Sequence, residues 1–124
     1  MNRGLLTLAG AFGFSGVALG AFGAHGLRER LAPPMLEVYR TGVLYHLLHA
    51  VVVLAVALAA DRLRRPRLNA GLFCAGIAIF SGTLYLLAIT GTTWWGAVTP
   101  VGGLLLLAGW ATVIVEGFSR PRST

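Results

Sequence analysis

Charge is the scarcest feature of this sequence. Asp, Glu, Lys and Arg make up 11% of its 124 residues, against about 25% in an ordinary soluble domain, so a water-soluble globule is effectively excluded. Lysine is absent: all ten basic residues are arginine, set against four acidic ones. The net charge of +6 lies on short segments flanking apolar runs, a pattern of membrane proteins and not of nucleic-acid binders. One cysteine excludes an internal disulfide, and no Cys/His spacing resembles a zinc site. No nucleophile beside a base, no phosphate-binding loop and no carboxylate pair is present. The expectation is therefore a protein that is not an enzyme and carries neither cofactor nor metal.

What is there is apolar. Hydrophobic residues make up 56%, and mean hydropathy is +0.78. One domain fits the length. Residues 4–24 hold no ionisable group before His25, about 31 Å of helix against a hydrocarbon core of about 30 Å. Residues 41–60 give a second span, interrupted only by His46 and His49. Residues 68–115 carry no charge, about right for two helices and a turn. The turn is expected over Gly91–Gly96, and Thr99-Pro100 reads as an N-cap followed by a first-turn proline. Spans three and four are thus expected near 69–90 and 100–118. The fold class is all-α, a four-transmembrane-helix bundle.

Arginine counts set the expected direction. Arg3, Arg62, Arg64, Arg65, Arg67, Arg120 and Arg122 fall on one side, and Arg28, Arg30 and Arg40 on the other. Both termini are therefore expected to be cytoplasmic, in a multi-pass protein of the bacterial inner membrane. Met1-Asn2-Arg3 could also open a signal peptide. The following stretch is longer than a usual signal core, however, and 11 of its 21 residues are Gly or Ala, which favours a retained, packed helix.

Membrane helices associate by close backbone approach. Gly13, Gly16 and Gly20 in span one, with Gly71, Ala75, Ala78 and Gly82 in span three, are expected to pack at the centre of the bundle, leaving spans two and four more of the lipid face. Residues 9–16 match residues 75–82 at five of eight positions, consistent with two parallel helical hairpins related by an axis along the membrane normal.

The polar residues gather in one half. Tyr39, Gly42, His46 and His49 recur at spacings of three and four, on one helical face. His46 lies roughly 8 Å and His49 roughly 12 Å below Thr41. His25 and Tyr85 fall at the same end. This cluster of His25, Tyr39, His46, His49 and Tyr85 has three readings: histidines that join helices, a small-molecule or lipid pocket, and metal or haem ligation. No carboxylate or thiol accompanies it, which weakens the metal reading. Residues 51–60 offer no polar side chain, so a small molecule is expected to enter from the His/Tyr side. Glu116 is expected to pair with a loop arginine, Cys74 to be a small packing residue, and the three tryptophans to be interfacial anchors or lipid-facing bulk.

Several separate stretches carry a resemblance: residues 20–27 (GAFGAHGL), Tyr39 with Thr41-Gly42, Tyr45-His46 with His49-Ala50, Phe80-Ser81-Gly82 with Leu84-Tyr85, and Thr99-Pro100 with Gly102-Gly103 and Gly109-Trp110. Together they resemble the domain-of-unknown-function 423 family, small four-helix bacterial inner-membrane proteins to which transmembrane protein 256 of animals looks related. The resemblance implies the fold and no activity, cofactor or catalytic residue. The leading functional expectation is a non-enzymatic packing, assembly or accessory subunit. Its expected partners are the lipid bilayer and either copies of itself, as a homo-oligomer, or a larger membrane complex, with no nucleic acid. The alternative is a small transporter or a ligand- or cofactor-binding membrane protein using the His/Tyr cluster.

Overall fold

A computed structural model describes residues 1–120; Arg122, counted above for direction, lies outside them. Four helices follow in order: α1 (Arg3–His25), α2 (Pro33–Ala59, continued by a 3₁₀ turn over Ala60–Arg62), α3 (Pro66–Thr90) and α4 (Trp94–Phe118). Each is long and apolar enough to cross a membrane. The chain reverses between consecutive helices. Asn2, the α2–α3 link and the end of α4 therefore share one end, where the Asn2 backbone N–H donates to the Ala57 carbonyl at 3.0 Å and Glu116 meets Arg64 and Arg65. This arginine end is opposed by a far end holding residues 26–32 and 91–93.

Local chemistry explains the boundaries. The Asn2 side chain accepts the Leu5 N–H at 3.0 Å, capping α1. Prolines open α2 and α3, where a missing N–H costs nothing. Gly91 ends α3 at φ +69°, its N–H returning to Leu87 O, a left-handed cap that suits glycine. The turn that follows is shorter than expected: α4 begins at Trp94, so Pro100 lies inside it and does not start it. The Thr99 hydroxyl is not an N-cap either. It donates back to Trp95 O at 3.1 Å, one residue before the proline leaves the Gly96 carbonyl without its intrahelical donor.

Packing runs mainly between consecutive helices, with α1 touching α3 only marginally. The most apolar stretches of α2 and α3 are 39% and 33% buried, those of α1 and α4 17% and 22%. The centre is therefore α2 with α3, not spans one and three as expected. The reason lies in which small residues face inward. Gly16 and Gly20 do face α2, where a Cβ would meet Leu47 at 2.7 Å and Val43 at 3.1 Å. Gly13 and Gly82 have open space at the Cβ position, while Gly71, Ala75 and Ala78 are exposed. Close approach falls instead to Gly76 against Leu106, Gly102 against the Phe80 backbone and Gly109 against Phe73. Residues 9–16 and 75–82 thus differ in surroundings despite their likeness, since Gly16 is covered and Gly82 is not. Toward the arginine end the core joins Leu5, Val53, Ala57, Phe73, Ile77 and Leu106; toward the far end Leu27 folds back onto Tyr39, Tyr85 and Ala88.

Candidate functional site

Tyr39, His46 and His49 of α2 turn inward, whereas Tyr45 of the same helix is exposed. Tyr39 is fully buried, and His46 and His49 are 5% and 3% exposed. Two glycines make this possible: a Cβ on Gly42 would meet the Tyr85 ring at 2.8 Å, and one on Gly23 would strike the Tyr39 ring. His46 Nδ1 lies 2.8 Å from Tyr85 Oη and its Nε2 3.2 Å from Ser15 Oγ, which in turn reaches Phe12 O at 3.1 Å. Donors and acceptors balance when Tyr85 donates to His46 Nδ1, His46 Nε2–H to Ser15, and Ser15 to Phe12 O. Ser81 donates to Gly42 O at 2.7 Å and Tyr39 to Leu19 O at 2.5 Å. The Tyr39 and Tyr85 rings lie 5.1 Å apart. One imidazole therefore joins α1, α2 and α3.

His49 belongs to a separate set. Trp110 Nε1 donates to His49 Nε2 at 3.1 Å, and His49 Nδ1 faces Tyr45 O at 2.8 Å. An indole N–H can only donate, so this histidine is neutral with its proton on Nδ1. Trp110 is thereby a strut from α4 to α2 as well as a partly lipid-facing ring. His25, exposed at the end of α1 and bonded to Ala21 O, stands outside both sets. Among the described residues no three His, Cys, Asp or Glu side chains gather as a metal would require.

A second polar centre lies at the arginine end, where the sequence singled out Glu116 but not Asn69 and Thr112. Among the described residues Glu116 forms no ion pair with an arginine side chain. Its two oxygens accept the backbone N–H groups of Arg64 at 3.0 Å and Arg65 at 2.9 Å, so α4's last turns cap the start of α3. Asn69, 1% exposed, is oriented with its oxygen accepting from Thr112 Oγ1 at 2.7 Å and its amide donating to Arg65 O at 2.7 Å and Glu116 at 3.3 Å. Nearer the far end the Thr83 and Thr99 hydroxyls meet at 2.7 Å. The available signal was spacing: Thr112 and Glu116 are four apart on α4, and Asn69 sits one turn into α3. Cys74 is half-buried at the edge of the core.

Four apolar helices whose internal polar groups bond one another define an integral membrane protein of the small four-span class. The chain belongs to the DUF423 family, "protein of unknown function", whose sequence profile matches residues 19–103. It is 44% identical over 102 residues to the UPF0382 membrane protein YwdK of Bacillus subtilis, covering 80% of this chain and 83% of that one. Over 119 residues it is 42% identical to a UPF0382 membrane protein of Haemophilus influenzae, covering 95% and 96%. Over 127 residues it is 39% identical to the UPF0382 inner membrane protein YgdD of Escherichia coli K12, covering 98% and 94%. No solved structure matches.

Proposed function

We propose that the protein is a non-enzymatic assembly or accessory subunit of a bacterial inner membrane, meeting its partners inside the bilayer. The observation that carries this reading is that, among the described residues, every buried side-chain nitrogen and oxygen already has a partner within the chain. The His, Tyr and Ser groups are engaged in joining helices, the use that polar groups commonly serve in lipid. Partners then meet the outward apolar faces. That of α3 is shaped for close approach, with Gly71, Ala75 and Ala78 exposed and open space over Gly82. The first partner to test is a second copy. Combining Ala75→Leu with Gly82→Leu is expected to reduce oligomer mass in mild detergent while leaving the melting temperature of the monomer within a few degrees. Unchanged mass would remove the assembly reading.

The arginine end is proposed to face the cytoplasm, on the bias of Arg3, Arg62, Arg64, Arg65, Arg67 and Arg120 over Arg28, Arg30 and Arg40. The inner-membrane name of a relative sharing 39% identity supports the compartment. A fluorescent reporter active only in the cytoplasm, fused at the C-terminus, is expected to light up. A periplasm-only reporter active at the same position would reverse the orientation.

A further inference from the structure

Between α2 and α4, on the arginine side of the Trp110–His49 bond, an apolar groove of about 340 Å³ runs along Val52, Ala55, Ala59 and Val113 and ends at Asn69 and Glu116. From Val52 to Ala59 it follows seven residues of helix, about 10 Å along the axis. Its walls suit one hydrocarbon chain. At its end stand Glu116 and Asn69, which line it with almost none of their polar surface, so the carboxylate is to be met at the rim and not along the walls. Glu116 is only partly exposed, receives hydrogen bonds among the described residues from neutral amides alone, and sits in the last turns of α4, where helix carbonyls add negative potential. A cation is the complementary neighbour. On the other side of Glu116 and Asn69 a second hollow is lined by Arg64, Arg65 and Ser119. Neither arginine uses its guanidinium on Glu116, so both remain able to meet an anion.

Chain, primary ammonium and phosphate, in adjoining compartments at the end of a membrane span, are the three parts of an aminophospholipid. We propose that the protein binds one such lipid from the leaflet at the arginine end, with an acyl chain in the α2–α4 groove, its ammonium on Glu116 and its phosphate beside Arg64 and Arg65. This goes beyond the assembly reading and does not depend on it. It also reverses the expectation that small molecules enter on the His/Tyr side: α2 is apolar there, but α3 and α4 bring Asn69 and Glu116 to its groove.

The test offers purified protein, in mild detergent, equal amounts of dioleoyl phosphatidylethanolamine, phosphatidylcholine and phosphatidylglycerol, and counts bound lipid by native mass spectrometry. The ethanolamine lipid is expected to be retained about tenfold over the choline lipid, equivalent to about 1.4 kcal/mol, because a quaternary ammonium cannot donate hydrogen bonds to the carboxylate. Glu116→Gln should bring the two within about twofold. Ala55→Phe, on the exposed wall of the groove and away from the core, should reduce retention of all three. Equal retention of the choline lipid, or preference for the glycerol lipid as at a simple arginine–phosphate site, would overturn the proposal, as would an ethanolamine preference that survives Glu116→Gln. If Glu116→Gln does not fold, Ala55→Phe decides, and undiminished ethanolamine-lipid retention in it refutes the site.

Discussion

Replacing Gly102 by leucine is expected to separate α4 from α3, with loss of most folded protein from mild detergent. The reason is what lies opposite. A Cβ at this position would stand 2.7 Å from Phe80 Cα and closer still to its backbone nitrogen, and backbone in a helix cannot swing aside as a side chain can. Even Gly102→Ala carries this clash. Overpacking of a well-packed contact costs about 1–3 kcal/mol, while removing a helix glycine returns about 1 kcal/mol, so the alanine variant should still be net destabilised, with a melting temperature several degrees lower. Gly82→Ala is the control, since nothing lies within 4 Å of its Cβ position; it should melt at or slightly above the parent. A Gly102→Ala variant as stable as Gly82→Ala would show that α3 and α4 do not approach so closely.

The second large effect is expected at His46. Its leucine variant leaves the Tyr85 hydroxyl and Ser15 without their shared partner, and an unsatisfied buried polar group costs about 1–3 kcal/mol. Adding Tyr85→Phe removes the orphaned hydroxyl, so the double variant should recover part of the loss. Denaturant unfolding of the four proteins of this cycle gives the coupling directly. A coupling near zero would mean that the His46–Tyr85 bond contributes nothing to joining α2 and α3. Replacing His49 by leucine, in contrast, affects a half-exposed indole, which can turn toward interfacial water or another acceptor.

The four spans were legible because hydrocarbon thickness and charge-free length decide them, and residues 68–115 could hold little else. Helix ends were less so: Pro100 signals a start by local rules, but Trp94–Val98 continue the helix backward and Thr99 bonds its own preceding turn. Periodicity placed Tyr39, His46 and His49 on one face, and that face is buried. It could not show that the face is divided, with His46 turned to α1 and α3 and His49 to Trp110 on α4, because sequence spacing on one helix says nothing of which neighbour stands where. The small residues misled for the same reason. Gly71, Ala75, Ala78 and Gly82 form as regular a ridge as any in the chain, yet α4 packs on the other side of α3, at Gly76. Glu116 was expected to pair with a loop arginine and meets the backbone of Arg64 and Arg65 instead; Asn69 escaped notice because it stands alone in its span, and only the fold sets it 3.3 Å from Glu116.

Packing chiefly between consecutive helices has a consequence for how the chain reaches this state. Contacts that are near in sequence form early and close short loops. As the chain enters the bilayer, α2 finds α1 already present, and α3 finds α2, so neither waits for a distant segment. The hydrogen bond with the longest reach among the described residues, from Trp110 to His49, spans 61 residues. It is made only when α4 is in place, so its indole, like Glu116 at the α2–α3 link, registers completion of the whole bundle.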